Sequence, residues 1–227
     1  MLMSARPSSA MIESQVIPEQ AVVGCLEDTA RSGLLYSKVK RGFDIAMVLM
    51  AGPAALVLVA LIAFVTAILM GRPIFFVQRR VGLNGRVFRM FKLRTMQPCS
   101  VKITSATAKN DRRITPLGKV LRQTHLDELP QLWNILRGEM SLIGPRPEQP
   151  ELVDLYREMI PQYDMRHTVR PGLSGWAQVS FGYAANVDET RNKLKYDLYY
   201  VQNFGPAMDM RVAVRTILVY LNPTYVR

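Results

Sequence analysis

Cysteine and histidine are scarce in this chain. Its 227 residues include two cysteines, Cys25 and Cys99, and two histidines. So few of these residues form neither a disulfide framework nor the ligand spacing of a zinc site, and they are in keeping with a reduced compartment. Internal repeats and low-complexity tracts are also missing. Residues 1–34 lack an early apolar run followed by a small-residue cleavage site, so we predict a mobile cytosolic tail rather than a secretory signal.

Acidic residues are outnumbered by basic ones. The chain has 29 lysines and arginines against 18 acids, a net charge of +11, and its length suits one sizeable domain with appendages. Such a surface attracts polyanions, which can be nucleic acid, anionic lipid or phosphorylated small molecules. No nucleic-acid-binding motif accompanies the charge, and we therefore predict no nucleic acid partner.

Charge is absent from one long apolar run, from Ile45 to Met70. A straight helix over this run would be about 39 Å long at 1.5 Å per residue, more than the roughly 30 Å of a bilayer's hydrocarbon core. Gly52 and Pro53 lie inside the run. Because proline removes a backbone hydrogen bond and crowds the preceding turn, we predict a bend or break there.

The flanks of this run bear on its topology. Upstream lie Arg31, Lys38, Lys40 and Arg41, and downstream lie Arg72, Arg79, Arg80, Arg86, Arg89, Lys92 and Arg94, with no acid between residues 72 and 98. Lysine and arginine beside a membrane segment favour the cytoplasmic side. Basic flanks on both sides therefore favour a helix–break–helix hairpin that enters the membrane and returns. A slightly kinked spanning helix remains the alternative.

The remaining chain predicts a mainly α fold with a few short strands. Strands are expected at 74–77 and 86–93, and helices at 117–123, 128–137, 150–160, 187–203 and 208–221. A polar loop is expected at 97–113 and a glycine-rich loop at 170–182. Several of these helices mix apolar residues and tyrosines with arginine and lysine. That mixture suits amphipathic helices in a membrane interface, although ordinary core-facing stripes would look the same.

Residues 121–147, LRQTHLDELPQLWNILRGEMSLIGPRP, hold the most informative pattern. Asp127 and Glu128 are adjacent and are enclosed by arginines at 122, 137 and 146. Nearby positive charge lowers a carboxylate pKa by about 1–3 units, so we predict that Asp127 stays ionised. A carboxylate can accept a phosphoryl group, which makes Asp127 a candidate nucleophile. The alternative is that the pair, ahead of Pro130, only caps a helix.

Five stretches together resemble the bacterial sugar transferases, the monotopic polyprenyl-phosphate phosphoglycosyl transferases. They are KRGFD at 40–44, PIFFVQRRVGLNGRVFRMFKLRTM at 73–96, NDRRITPLGKVLRQTHLDELPQLWNILRGEMSLIGPRP at 110–147, RPGLSGWAQV at 170–179 and KYDLYYVQN at 195–203. The resemblance covers residues 38–221 in order, and the block from DELPQL to GPRP is its most specific part. Gly52 is a departure, because a serine often precedes the proline in the family, and His125 stands where a small hydroxyl residue is common.

The resemblance implies an organisation and a reaction. Residues 1–34 would be the tail, 35–71 a re-entrant membrane helix, and 72–227 a catalytic domain on the cytoplasmic face of the bacterial inner membrane. The reaction would transfer a sugar 1-phosphate from a UDP-sugar to undecaprenyl phosphate and release UMP. It would begin the assembly of an exopolysaccharide, O-antigen or capsule glycan. Partners would include anionic membrane lipids. The identity of the sugar stays open, as does the oligomeric state, which could be a homo-oligomer.

The resemblance also implies roles for individual residues. Asp127 matches the nucleophile that carries the phosphosugar, Glu128 matches its partner acid, and the two would hold Mg²⁺. Arg122 and Arg146 match positions that contact phosphate. Further candidates for substrate binding, each with an equally good structural role, are Lys92, Arg94, Arg170, Gln178 and Asp197. A membrane-anchored basic binding protein, or a scaffold of polysaccharide assembly without catalysis, is the alternative function.

Overall fold

The computed structural model describes residues 19–97, 111, 113–181 and 186–221, with side chains from residue 35 onward. The α-helices are α1 (Glu19–Met70), α2 (Pro116–Thr124), α3 (Gln131–Leu136), α4 (Pro150–Met159), α5 (Trp176–Ser180), α6 (Val187–Gln202) and α7 (Pro206–Leu221). The strands are β1 (Phe75–Val81), β2 (Val87–Leu93), β3 (Ser141–Ile143) and β4 (Gly172–Ser174). The predicted mainly α fold with a few short strands is confirmed.

The strands form two small pairs. β1 and β2 make an antiparallel hairpin in which Val77 lies opposite Phe91 and Arg79 opposite Arg89. The hairpin turns at 83–85, where Asn84 has a φ of 54° and Gly85 a φ of 75°. These positive angles suit asparagine and glycine. β3 and β4 pair in parallel, so the segment after the DELP motif lies beside residues 172–174. The prediction of a loop over 170–182 is wrong at β4 and α5, which lie within it.

Helix α1 runs without interruption through Gly52 and Pro53. The predicted break is therefore not seen in the backbone, and the re-entrant hairpin is not confirmed. Residues 35–70 of α1 are long and apolar enough to cross a membrane by length and composition. The helix already begins at Glu19, inside the predicted tail, while residues 1–18 lie outside the described residues.

Polar contacts attach the first part of α1 to the rest of the molecule. Lys40 pairs with Asp209. Arg41 donates to the carbonyl oxygens of Ile135 and Leu136, the latter at 2.8 Å, at the end of α3. The fully buried Asp44 accepts a hydrogen bond of 3.2 Å from the Leu142 amide. Buried polar groups need such partners, so the KRGFD stretch serves as the attachment site of this helix.

The last part of α1 is attached mainly by apolar packing. Ile62 packs with Leu93 of β2 and Leu121 of α2 in one cluster of buried residues. Arg94 donates to the carbonyl oxygen of Met70 and, at 2.7 Å, to that of Gly71. The Met70 oxygen has no partner inside the helix because the last four carbonyls of a helix lack one, and Gly71 follows the end of the helix. Helix α1 therefore contacts the same domain near both ends of its apolar run.

Two helices expose apolar side chains. On α1 they include Leu49, Leu56, Val57, Leu61, Phe64, Ile68 and Leu69, and on α7 they include Met210, Val214, Ile217, Leu218 and Leu221. The opposite side of α7 is held in the molecule by buried Met208 and Val212. An apolar face of this kind is what an interfacial helix presents, but the predicted placement of these helices in a membrane interface is not confirmed.

Candidate active site

A sharp change of chain direction presents Asp127 and Glu128. Helix α2 starts at its cap residue Thr115, whose hydroxyl accepts from the Gly118 amide at 3.0 Å, and ends at His125, with a φ of 55°. One turn of 3₁₀-helix at Leu126–Glu128 follows, and α3 begins after Pro130. Neither carboxylate caps a helix. The capping interpretation is wrong because Glu128 is engaged by cations from two other segments.

Glu128 is 9% exposed and binds two cations through one carboxylate oxygen. Its Oε1 is 2.6 Å from the Lys92 ammonium and 2.8 Å from the Arg146 guanidinium. Burial alone would raise the pKa of Glu128, but the charges of Arg146 and Lys92 outweigh it and hold that pKa well below its ordinary value. Glu128 is therefore a fixed anion at neutral pH.

Asp127 has the opposite environment. It is 7% exposed, and its carboxylate makes no hydrogen bond or ion pair with any residue that the structure describes. Burial, together with the negative charge of Glu128, raises its pKa despite the nearby Lys92 and Arg122. The prediction that positive charge lowers the pKa of Asp127 is therefore wrong, because the closest cations bind the neighbouring carboxylate.

The surrounding cations come from three parts of the chain. Lys92 stands on β2, and its pKa is lowered mainly by burial and, to a smaller extent, by the positive charge of Arg146. Arg122 stands on α2, where its Nε donates to the Thr95 hydroxyl at 2.9 Å. Arg146 follows Gly144, where a β-carbon would lie 2.3 Å from the Arg170 carbonyl oxygen. Only glycine fits this close approach, two residues before the arginine that pairs with Glu128.

The same segments are found in known proteins. Residues 35–223 match the model of the family described as Bacterial sugar transferase. The chain belongs to that family. The resemblance stated from the motifs is thus confirmed, and this sugar transferase can be compared with individual relatives.

Three relatives illustrate the match. The chain is 44% identical over 188 residues to the UDP-N-acetylgalactosamine-undecaprenyl-phosphate N-acetylgalactosaminephosphotransferase of Aeromonas hydrophila, covering 82% of this chain and 44% of that protein. It is 45% identical over 150 residues to the UDP-glucose:undecaprenyl-phosphate glucose-1-phosphate transferase of Xanthomonas campestris pv. campestris, covering 63% of this chain and 31% of that protein. It is 40% identical over 191 residues to the Exopolysaccharide production protein PSS of Rhizobium leguminosarum bv. phaseoli, covering 79% of this chain and 94% of that protein. The chain thus spans less than half the length of the first two relatives.

Four other predicted binding residues of this sugar transferase have structural partners. Arg94 binds the carbonyl oxygens at the end of α1, and Arg170 donates to the Gly138 carbonyl at 3.1 Å. Gln178 donates to the Leu173 carbonyl at 3.4 Å, and the buried Asp197 pairs with Arg166 at 2.8 Å. The structure does not place them among the groups that bind Glu128, and contact with substrate stays a prediction for each.

Sequence reasoning missed Tyr220 near the end of α7. Its ring packs edge-on against His125, with 5.0 Å between the ring centroids. The charges of Glu128, Arg146 and Asp127 all act on its phenol, so it lies at the site. No local pattern could have indicated this, because the contact joins residues 95 positions apart in the chain.

The carboxylates suit Mg²⁺, although the described residues contain no cluster of three or more His, Cys, Asp or Glu that could hold a metal alone. Mg²⁺ is usually bound by one or two carboxylates together with substrate phosphates and water. Both cation contacts of Glu128 use Oε1. Glu128 Oε2 and the whole Asp127 carboxylate are therefore available as oxygen ligands beside a bound phosphate.

Proposed function

We propose that this sugar transferase moves a sugar 1-phosphate from a UDP-sugar to undecaprenyl phosphate, releases UMP, and carries the phosphosugar on Asp127 between the two steps. The supporting observation is the difference between the two carboxylates. Glu128 is bound by two cations, whereas Asp127 is unbound among the described residues and buried beside the same positive charge. The relatives from Aeromonas and Xanthomonas are named for such transfers to undecaprenyl phosphate.

In the first step an Asp127 oxygen attacks the phosphorus that bears the sugar. The bond between that phosphorus and the oxygen bridging the two phosphates breaks, and UMP leaves with that oxygen and its electron pair. In the second step a phosphate oxygen of undecaprenyl phosphate attacks the same phosphorus. The bond to Asp127 breaks, the free carboxylate is restored, and the sugar remains on a lipid diphosphate. Both steps are phosphoryl transfers, which depend on positioning and on neutralising negative charge.

The cations perform that neutralisation. Lys92 and Arg146 are held at the carboxylate pair by their ion pairs with Glu128. The positive charge of Arg122, on α2, favours the ionised form of Asp127. Guanidinium groups bind phosphate oxygens in a planar, often two-point geometry. Mg²⁺ held by Asp127 and Glu128 would add Lewis-acid stabilisation of the departing phosphate. Glu128 keeps Lys92 and Arg146 at the site before substrate arrives.

The proposed setting is the cytoplasmic face of the bacterial inner membrane, with α1 held in the bilayer from that face alone; because the helix is continuous through Pro53, it does not turn back on itself. Supporting this, α1 contacts one domain at Lys40 and Arg41 and again at Ile62 and Met70. A helix that crossed the membrane would carry these two contact regions to opposite faces. A polyprenyl phosphate lies at headgroup level and a UDP-sugar comes from the cytosol, so such an anchor lets both reach Asp127. The product would start an exopolysaccharide-type glycan.

The test is UMP release by purified enzyme with Mg²⁺, undecaprenyl phosphate and a panel of UDP-sugars. Incubation with the UDP-sugar alone should add a hexose phosphate to the peptide that contains Asp127, as seen by mass spectrometry. Turnover that continues in Asp127→Asn would refute the covalent step. No UMP release with any UDP-sugar would favour the non-catalytic scaffold.

A further inference from the structure

Side-chain contacts attach helix α7 to the domain one turn before Tyr220. The Thr216 hydroxyl lies 2.7 Å from that of Ser174 on β4. The guanidinium of Arg215 donates to the Ser180 hydroxyl at 2.8 Å and lies 4.7 Å from the ring centre of Trp176. These contacts fix the helix one turn before Tyr220. The position of the tyrosine is therefore set by the fold.

Tyr220 has an unused hydrogen-bonding group. The residue is 53% exposed, and its hydroxyl has no hydrogen-bond partner within the described part of the chain. Burial and the charge of Glu128 raise its pKa, so the phenol keeps its proton and acts as a donor. A neutral donor beside cations that attract phosphate suits a phosphate oxygen.

The surroundings of Tyr220 decide between the two phosphorylated substrates. Leu221 is 78% exposed, and Ile217 and Leu218 on the same turn are also exposed. A UDP-sugar offers mostly polar surface to such side chains, whereas a polyprenyl phosphate brings an apolar chain directly attached to its phosphate. Burying that chain against these residues is favourable, at roughly 25 cal/mol per Å² of apolar surface.

We propose that Tyr220 is a substrate-positioning residue for the lipid acceptor, donating its hydroxyl proton in a hydrogen bond to the polyprenyl phosphate while the apolar turn around it receives the first isoprene units. This rests on the proposed function and deepens it, because it assigns one side of the site to the acceptor. His125 supports the tyrosine ring from the α2 side.

The experiment compares Tyr220→Phe with the wild type. Native mass spectrometry would measure the Kd for farnesyl phosphate without donor, and kinetics would give the KM for undecaprenyl phosphate and for the UDP-sugar. Loss of one hydrogen bond to a charged group predicts acceptor Kd and KM values raised roughly 10- to 100-fold, with the donor KM unchanged. Tyr196→Phe is the matched control, since Tyr196 packs against Phe181, a residue not placed in the site; it should change neither constant.

An unchanged acceptor Kd in Tyr220→Phe would overturn the inference, as would an equal rise in donor and acceptor KM. A lower Tm in the variant together with weaker binding of both substrates would show a purely structural role and would also overturn it. If the wild-type enzyme released no UMP, the proposed function would fail, while the ratio of the two farnesyl phosphate Kd values would still decide the role of Tyr220.

Discussion

Two carboxylate pairs in this molecule are surrounded by similar cations but arranged differently. The first is Asp127 with Glu128, where only Glu128 is bound by cations. The second is Glu148 with Asp197, where both acids are bound. Glu148 contacts Arg80 at 3.3 Å and Lys193 at 2.9 Å, and Asp197 contacts Arg166 at 2.8 Å.

The difference suggests that one pair has a structural role and the other a chemical role. A fully paired buried cluster holds segments together and leaves no group free to react. In the second cluster Arg166 also donates to the Arg146 carbonyl at 2.7 Å, which places it directly behind the site. The first cluster leaves one carboxylate unpaired within the described structure, and that unpaired group is what a nucleophile requires.

The largest expected effect tests the unpaired acid. Asp127→Asn should lower the rate of UMP release by roughly 10⁴-fold or more, since the proposed nucleophile is lost. Its Tm should stay equal or rise, because a raised pKa means that ionised Asp127 disfavours folding near neutral pH. Kinetics and thermal unfolding of the same preparation check both parts. A large fall in Tm would assign Asp127 to support as well.

The next effect tests the paired cluster. Asp197→Ala leaves the buried Arg166 without its carboxylate partner, so the free energy of unfolding should fall by about 3–5 kcal/mol. The matched control is Asp188→Ala, which removes an exposed pair with Arg191 at 3.3 Å and should cost less than about 1 kcal/mol. Denaturant unfolding in detergent measures both. Equal losses in the two variants would contradict the supporting role of the cluster.

The two clusters should respond differently to low pH, because the paired cluster contains Glu148. Burial would raise its pKa, but Lys193, Arg166 and Arg80 together lower it to about 2, from an ordinary value of 4.5. A lowered pKa gives stability that is present above about pH 4.5 and is lost as pH falls towards 2, on the order of 3 kcal/mol in all.

Wild-type Tm should therefore drop between pH 5 and pH 3 by more than the Tm of Glu148→Gln, which is less stable at pH 7 but less acid-sensitive. The pKa of Asp127 is shifted in the opposite direction to that of Glu148, because burial raises it. Turnover should decline on acidification as Asp127 takes up a proton, at a pH above the ordinary aspartate pKa. Parallel slopes for the wild type and Glu148→Gln would refute this assignment.

The smallest expected effect concerns Glu128. Glu128→Gln keeps the shape but removes the charge that binds Lys92 and Arg146. We expect a loss of about 1–3 kcal/mol in the free energy of unfolding and a fall in turnover of about 10- to 100-fold, smaller than for Asp127→Asn. Kinetics at varied UDP-sugar and Mg²⁺ concentrations would measure it. Turnover lost as completely as in Asp127→Asn would make Glu128 the essential acid.

The part of this site that could be predicted from sequence is the part encoded locally. Asp127, Glu128, Arg122 and Arg146 lie within one motif, and the structure brings them together with Lys92. The direction of the pKa shifts could not be predicted from the sequence, because the pKa of Asp127 rises or falls according to which carboxylate the cations bind. That choice depends on Lys92 of β2 and on the approach of Gly144 to the Arg170 backbone, and both Lys92 and Arg170 lie outside the motif.

In the fold, too, the features encoded by local sequence could be predicted and the long-range contacts could not. The hairpin and most helices follow from apolar spacing and glycine signals, although β1 extends to Val81, past the predicted 77, and α3 starts at Gln131 rather than 128. The contact of Tyr220 with His125 and the pairing of Lys40 with Asp209 join residues far apart in the chain. Such long-range contacts leave no trace in a local pattern.

The bonds of Arg41 to the end of α3 have a mechanical consequence. Helix α3 follows the Asp127–Glu128 turn after two residues, so a movement of α1 is transmitted directly to the Asp127 carboxylate. In the proposed membrane setting, a tilt that a thinner or thicker lipid layer imposes on α1 would be passed on to that carboxylate. The rate of the proposed transfer should then depend on the thickness of the lipid layer.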